Sequence, residues 1–298
     1  MIGKRLFDGG DPFLFHYDGK YYIYCTKENS MPAFTPEYPF YETCENGTDG
    51  IEVHVSDDLI HWKNAGYCLK KGDVVGTRGF WAPEVSFRNG KFYMAYSADE
   101  HSAIAVADSP LGPFKTHGKG WLREKPSIDG HILFDDSGVY FYFVDFDNCN
   151  RIRVAKMSDD LTRLEHEYDD VLISVSDPWE LVDCRVAEGP FVIKHGGKYY
   201  LTYSANHTRN AAYAVGYAVS DSPIGPFVKY PGNPIVHSAG NDVQGTGHAS
   251  FMKLPDCERY ICAFHCHNSK DSFKPRKVCL AEAWFEKSEP HDILTVGL

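Results

Sequence analysis

Four carboxylates and one histidine recur at similar positions in the sequence, each shortly before a hairpin-like turn. They lie seven to eleven residues ahead of the turn, and the carboxylates stand next to Gly or Pro in apolar surroundings; they are Asp11, Glu84, Asp129, Glu188 and His248. A charge in an apolar strand is costly unless it has partners or a task. Turn capping is the competing explanation for Asp11 and Asp129. Because the spacing is shared, we predict one site, with carboxylates that can serve as general acid and base.

Five similar hairpins follow these residues. Each has a polar or glycine turn and then aromatic residues in alternation, as in Asp18-Gly-Lys-Tyr-Tyr-Ile-Tyr24 and Gly196-Gly-Lys-Tyr-Tyr-Leu-Thr-Tyr203. Equivalent turn positions, at residues 20, 91, 139, 198 and 259, are 71, 48, 59 and 61 residues apart. Such periods are typical of propeller blades, whereas a pair of β-sandwiches would not repeat in this way. We therefore predict an all-β chain, a single five-bladed β-propeller over residues 1–298, whose innermost strands bring the five polar residues to one axis.

Composition excludes several functions. The chain is 43% hydrophobic and 14% aromatic, which favours a packed strand-rich core and provides surfaces on which sugars stack. Its net charge of −11 argues against a nucleic-acid partner and an anionic membrane surface. The N-terminal residues lack the apolar run of a signal peptide, and the nine cysteines show no disulfide framework, so we expect a cytoplasmic protein. The oligomeric state is not indicated.

Several motifs resemble those of the family 43 glycoside hydrolases over essentially the whole chain. They are Gly-Gly-Asp11-Pro-Phe, Phe80-Trp81-Ala-Pro-Glu84, Ser-Ile-Asp129-Gly-His, Ala-Glu188-Gly-Pro190 and Gly245-Thr-Gly247-His248-Ala-Ser250. The resemblance implies a five-bladed propeller and single-displacement hydrolysis with inversion. By position, Asp11 matches the general base, Asp129 the carboxylate that tunes and orients the acid, and Glu188 the general acid. Inversion needs base and acid carboxyls about 6.5–9.5 Å apart, so that a water fits between them.

Further residues are expected around the three carboxylates. Trp81 either stacks on the sugar or packs as a core aromatic, and Phe13 is placed with it as a substrate contact. Glu84 departs from the family, where Asp is common, and is expected to pack or hydrogen-bond near the hub beside the substrate. Arg276 resembles an arginine that contacts substrate in the family, with a solvated surface charge as the alternative.

His248 has two interpretations. It either lies near a structural calcium ion at the propeller centre, as in many members of the family, or is a channel histidine bonded to a carboxylate. Calcium prefers oxygen ligands and one imidazole defines no site, so no cofactor is expected to be required. A zinc site at Cys262-Ala-Phe-His265-Cys266-His267 is disfavoured, because cysteines and histidines face opposite sides of a strand.

The substrate is expected to be an oligosaccharide that contains arabinose or xylose. We expect an α-L-arabinofuranosidase that releases terminal sugars, with a β-xylosidase, an arabinan-degrading enzyme or an inactive carbohydrate-binding propeller as alternatives. An irregular insertion at residues 28–50 carries Phe34, Tyr38, Phe40 and Tyr41 and is expected to close one side of the channel mouth.

Overall fold

The computed structural model describes residues 5–27, 49–238, 243–255 and 257–297. These residues form five antiparallel sheets arranged as a five-bladed β-propeller, which confirms the predicted fold class. Nearly all of the predicted insertion at residues 28–50 lies outside the described residues. Within the described part of the chain, no helix is long and apolar enough to cross a membrane.

The first four blades each contain four strands that follow one another from the channel outward. In chain order, blade 1 contains β2 (Gly10–Tyr17), β3 (Lys20–Thr26), β4 (Gly50–Ser56) and β5 (Lys63–Lys70), and blade 2 contains β6 (Trp81–Arg88), β7 (Lys91–Ala98), β8 (His101–Ala107) and β9 (Lys115–Trp121). Blade 3 contains β10 (Ile128–Asp135), β11 (Gly138–Asp145), β12 (Arg151–Met157) and β13 (Leu164–Glu167), and blade 4 contains β14 (Ala187–His195), β15 (Lys198–Ala205), β16 (Ala214–Ser220) and β17 (Val228–Lys229). A 3-10 turn at Pro178–Glu180 precedes β14.

Both ends of the described chain complete the fifth blade. Its inner strands are β18 (Gly247–Lys253), β19 (Arg259–Cys266) and β20 (Lys277–Glu286). The outer edge of β20 pairs with β1 (Arg5–Asp8) at one end and with β21 (Ile293–Val296) at the other. The propeller is thus closed by strands from opposite ends of the chain.

The predicted hairpin turns join the first and second strands of the blades. In three of them both central residues have positive φ: Asp18 and Gly19, Asn89 and Gly90, and Gly196 and Gly197. This is the geometry of a type I′ turn, which matches the twist of the flanking strands and favours Asn, Asp and Gly. In these three blades turn chemistry therefore fixes the register of the strand that carries Asp11, Glu84 or Glu188.

Buried tyrosines tie neighbouring blades together. Tyr24 on β3 donates its hydroxyl to the carbonyl of Pro110 (2.7 Å), and Tyr142 on β11 donates to the carbonyl of Pro223 (2.5 Å). Both prolines belong to the repeated Asp-Ser-Pro-Leu/Ile-Gly-Pro-Phe segment of the next blade. Each such bond contributes about 1 kcal/mol and satisfies a hydroxyl that would otherwise be buried without a partner. The segment therefore aligns one blade with the next.

Candidate active site

A β-bulge interrupts the innermost strand of every blade, close to its beginning. At each bulge one residue adopts a left-handed backbone with φ between 45° and 58°. We call these five residues the bulge ring: Asp11, Ala82, Asp129, Gly189 and His248. Non-glycine residues rarely adopt this conformation, and it occurs preferentially where backbone strain serves a functional site.

The bulge ring corrects one prediction from the sequence. Asp11, Asp129 and His248 occupy equivalent positions, as predicted. Glu188 lies one residue before its bulge and pairs with Ser204, whereas Glu84 lies two residues after its bulge and pairs with Ala95. The uneven offsets to the hairpin turns reflect these different positions. The five residues therefore surround one axis without being equivalent.

A second set of residues holds the bulge ring in place. We call them the support positions, because each lies on the second strand of a blade opposite the residue that precedes the bulge: Thr26, Ser97, Val144, Ser204 and His265. Four of them accept a hydrogen bond from the bulge N–H of the next blade, at 2.9 Å for Thr26, 3.0 Å for Ser97, 2.7 Å for Ser204 and 3.1 Å for His265. The strained backbone is thus fixed by bonds between blades.

Asp11 is held in its ionised form. Arg276 contacts both of its carboxylate oxygens, at 2.7 Å and 3.2 Å, and Thr26 donates its hydroxyl to Oδ2 at 2.7 Å. Burial alone would raise the pKa of Asp11, but the opposing contributions, of which the charge of Arg276 is the largest, together outweigh it, so the pKa lies well below its ordinary value. Arg276 is only 7% exposed, which rules out the alternative of a solvated surface charge. The structure therefore places Arg276 against Asp11.

His265 supports Asp11 from below in a defined tautomer. The backbone N–H of Asp11 donates to Nδ1 of His265, so this nitrogen carries no proton. Nε2 then carries the proton and donates it to the Thr208 hydroxyl at 3.0 Å. Burial, followed by the charge of Arg276, lowers the pKa of His265 to about 3 and keeps the ring neutral. His265 therefore belongs to the hydrogen-bond network around Asp11. It lies on β19, a strand on which successive side chains alternate in direction, as the argument against a zinc site assumed.

Asp129 and Glu188 form a coupled pair with raised pKa values. The backbone N–H of Gly189 donates to Oδ2 of Asp129 at 3.0 Å, so the peptide that follows Glu188 is bonded directly to Asp129. Burial is the main cause that raises the pKa of Asp129 well above its ordinary value, and the charge of Glu188 adds to it. Burial also raises the pKa of Glu188 to about 7. The pair can therefore keep a proton near neutral pH.

Two donors hold the carboxyl of Glu188. Tyr213 donates its hydroxyl to Oε1 at 2.9 Å, and Asn150 approaches Oε2 through its side-chain amide at 3.4 Å. Tyr213 is fully buried and stacks on His265 with ring centroids 5.5 Å apart. A Cβ at Gly247 would lie 2.0 Å from the Tyr213 ring, so only glycine leaves room for it. Tyr213 is therefore fixed in position before it contacts the carboxyl.

Glu84 forms a separate dyad with His131. Val192 donates its N–H to Nε2 of His131 at 3.1 Å, so Nδ1 carries the proton and donates it to Glu84 at 2.7 Å. Burial raises the pKa of Glu84, and His131 opposes that shift. The dyad joins blades 2, 3 and 4 below the bulge ring. This geometry matches the expectation that Glu84 hydrogen-bonds near the hub and gives no support to direct sugar binding.

The two predicted aromatic contacts lie at different levels of the channel. Trp81 immediately precedes the bulge of blade 2, equivalent to Glu188 in blade 4, and is partly exposed. Phe13 lies two residues beyond Asp11, at the level of Glu84, and packs against Phe191 with centroids 6.3 Å apart. The position of Trp81 is suited to sugar stacking, whereas Phe13 is packed against a core cluster.

His248 lies beside two of the carboxylates. Its Nδ1 lies 3.3 Å from Oδ1 of Asp11 and 3.9 Å from Oδ2 of Asp129. Calcium requires several oxygen ligands. Here the nearby oxygens of Asp11 are already bonded to Arg276, and the described residues contain no group of three or more His, Cys, Asp or Glu arranged to hold a metal. By themselves, these side chains therefore do not fit a calcium site.

Several residues that surround the three carboxylates were not predicted from the sequence, among them Thr26, Asn150, Tyr213 and His265. Thr26, Asn150 and Tyr213 lie in segments without a distinctive motif, and His265 drew attention only as a zinc candidate. The register of the second strands provides a signal for two of them, because Thr26 and His265 lie at the support positions. Tyr213 immediately precedes β16 and carries no such signal.

Carboxylates that converge at the hub of a five-bladed propeller, one kept ionised and another able to keep a proton near neutral pH, define an acid–base glycosidase. The chain belongs to family 43 of the glycosyl hydrolases, whose family model matches residues 7–288. It is a glycoside hydrolase of the inverting type.

Relatives with different substrates match nearly the whole chain. A structure described as endo-1,4-beta-xylanase from Bacteroides thetaiotaomicron is 37% identical, with a TM-score of 0.84, and the match covers 99% of this chain and 96% of that one. Beta-D-galactofuranosidase xynD from Aspergillus niger is 26% identical, with 99% and 85% covered. Xylosidase/arabinosidase 43A from Humicola insolens is 27% identical, with 93% and 94% covered.

Proposed function

We propose that this enzyme releases a terminal pentose from short oligosaccharides, with α-L-arabinofuranose as the preferred sugar and β-D-xylose as the second. The burial of the Asp11 and Asp129 side chains and the separate bonds to each of the three carboxyls carry the proposal, because a site with little open surface suits a single terminal sugar. The name of the Humicola insolens relative includes both activities, and the match covers 93% of this chain. That relative is the specific reason to keep β-xylosidase as the second candidate.

In the proposed mechanism Asp11 acts as general base. Paired with Arg276, it remains ionised and accepts a proton from the water that attacks the anomeric carbon. As this bond forms, the bond from the anomeric carbon to the leaving oxygen breaks on the opposite face of the sugar. One displacement therefore inverts the configuration.

Glu188 acts as general acid in the same step. Its raised pKa allows it to enter the reaction protonated and to donate that proton to the leaving oxygen. Asp129 orients the acid through Gly189, and repulsion between the two carboxylates favours a pair that holds one proton. After the step Asp11 holds a proton and Glu188 lacks one, so exchange with water restores the starting state.

A panel of substrates tests the proposed specificity. The 4-nitrophenyl glycosides of α-L-arabinofuranose, β-D-xylopyranose and β-D-galactofuranose are compared with arabinan and xylan oligosaccharides. We expect the highest kcat/KM on the arabinofuranoside and release of single sugars from oligosaccharide ends. Preference for galactofuranoside, or internal cleavage of xylan, would refute the proposal. The Asp11→Asn variant, assayed in parallel, should be inactive. Any hydrolysis that remains in that sample would come from a contaminating enzyme.

A further inference from the structure

One support position differs from the other four. Thr26, Ser97, Ser204 and His265 all provide an acceptor for the bulge N–H of the next blade. The equivalent residue in blade 3 is Val144, which pairs with Ile128 on one side and Ile152 on the other and is fully buried. Valine has no side-chain acceptor. The corresponding bulge N–H, that of Gly189, therefore needs another partner.

That partner is the carboxylate of Asp129. Gly189 donates its N–H to Oδ2 of Asp129 at 3.0 Å, and the bond is buried. Blade 1 has the alternative arrangement, in which Thr26 accepts the N–H of Ala82 and donates its own hydroxyl to Asp11. Asp11 and Asp129 are equivalent in the bulge ring. A hydroxyl at the support position therefore draws the carboxylate back towards its own blade, whereas valine leaves it free to reach the next one.

We propose that Val144 is a positioning residue for the acid, because the missing acceptor at this support position directs Asp129 to the peptide that follows Glu188. This inference goes beyond the proposed substrate, since it concerns how the acid is oriented for any glycoside. Asp129 bridges blades 3 and 4, and its carboxyl is held against the peptide that follows Glu188. Gly189 completes the arrangement, because its left-handed backbone (φ 58°) directs the N–H at that carboxylate.

The test replaces Val144 with threonine, a side chain of nearly the same shape. By analogy with blade 1, the new hydroxyl accepts the Gly189 N–H and donates to Asp129. The Asp129 carboxyl then withdraws from Glu188, and the pair loses its shared proton at lower pH because the repulsion between the two carboxylates has weakened. We expect the basic limb of the kcat profile to move down by about half a pH unit. kcat should fall about tenfold on a poor leaving group and much less on 4-nitrophenyl glycosides.

The pH effect is specific because no ionisable group is replaced. Asp129 and Glu188 face the same charged and titratable neighbours before and after the substitution: Asp11, Glu84, Cys184, Tyr213, His248 and Arg276. Val144→Ala is the matched control. It lowers Tm by opening a cavity but offers no acceptor, so its basic limb should stay at the wild-type pH. An equal shift in the alanine variant would assign the effect to packing and overturn the proposal.

A folded Val144→Thr variant with the wild-type basic limb and leaving-group dependence would also overturn it. Should threonine not be tolerated, Val144→Ser brings the same hydroxyl in a smaller side chain and should give the same shift. Carboxyl ¹³C NMR titration of the substrate-free protein is a readout that requires no known sugar. In Val144→Thr and Val144→Ser, the resonances of Asp129 and Glu188 should titrate at a different pH from wild type. In Val144→Ala they should titrate as in wild type. This separates failure of the inference from failure of the substrate assignment.

Discussion

Arg276 contacts both oxygens of Asp11, with Nη1 2.7 Å from Oδ1 and Nη2 3.2 Å from Oδ2. The two residues are separated by 265 positions in the chain, and both are largely buried. A bidentate pair of this kind stabilises the carboxylate and fixes the plane in which its oxygens face the channel. The ionisation of the proposed base thus depends on a residue from the blade that closes the ring.

Replacing Arg276 should make the enzyme less active in acid. Without the guanidinium, burial raises the pKa of Asp11, so the acidic limb of kcat/KM moves to higher pH, by about one to two units for Arg276→Met. Arg276→Lys keeps the charge but loses the bidentate contact and should shift less. The pH profiles of both variants measure this, and equal shifts would argue against an electrostatic effect.

Gly10→Ala should reproduce the arginine variant without removing a charge. A Cβ at Gly10 would lie 2.0 Å from Nη2 of Arg276, so the guanidinium must move away from Asp11. We expect the acidic limb to move in the same direction as in Arg276→Met. Gly19→Ala, in the hairpin turn of the same blade, serves as the control. Its added Cβ would meet no atom within 4 Å, but the left-handed backbone at this position would be strained. It should lower Tm and leave the acidic limb in place.

Tyr213→Phe should extend activity to higher pH. The hydroxyl bonds to Glu188 and stabilises its ionised form, so its loss raises the pKa of Glu188 above about 7. We expect the basic limb to move up by about one pH unit, the size of one hydrogen bond to a charged group. Tyr24→Phe removes a hydroxyl bonded to Pro110 instead and should change Tm alone. A downward shift for Tyr213→Phe would contradict the role given to the hydroxyl.

Glu188→Gln should slow hydrolysis according to the leaving group. A sugar leaving group needs a proton, so kcat on oligosaccharides should fall about 10²- to 10⁴-fold, whereas 4-nitrophenyl glycosides need little protonation and should lose far less. Rates on both substrate types give the ratio. Glu84→Gln, which preserves an acceptor for His131, should not change that ratio. An equal loss of kcat on both substrate types in Glu188→Gln would show that Glu188 is not the general acid.

Chelation should leave the activity unchanged. The side chains around His248 do not make a calcium site by themselves, and Asp11 is neutralised by Arg276. Dialysis against EDTA, followed by assays with and without added Ca²⁺, is expected to give equal kcat/KM. Loss of activity that calcium restores would show that an ion contributes to the hub.

The fold could be predicted because its signals are local. Pairs such as Asn89-Gly90 specify a tight hairpin by backbone chemistry alone, and their recurrence reveals the blades. Convergence of Asp11, Asp129 and Glu188 follows once innermost strands are assigned. The exact positions of these residues along the channel axis cannot be predicted in the same way, because a bulge adds a residue within a strand and leaves no clear trace in the sequence spacing.

The surroundings of the carboxylates depend on register between distant strands. Nothing near Tyr213 in the sequence shows that its hydroxyl reaches Glu188, and Arg276 was expected either to contact substrate or to be a solvated surface charge, not to pair with Asp11. Val144 is the clearest example: an ordinary valine in a strand becomes informative only beside Thr26, Ser97, Ser204 and His265 at the same position. Its significance lies in a comparison between blades.

Closure of the fifth blade has a consequence for how activity appears during folding. β1 pairs with β20 just before the chain enters β2, and the N–H of Gly9 bonds to the carbonyl of Arg276 at 2.9 Å. The base and its arginine therefore meet only when the first and last blades join, a contact with a high loop-closure cost. A chain with four finished blades already contains all three carboxylates but lacks the guanidinium that ionises the base. Hydrolytic competence is thus expected only after the first and last blades have docked.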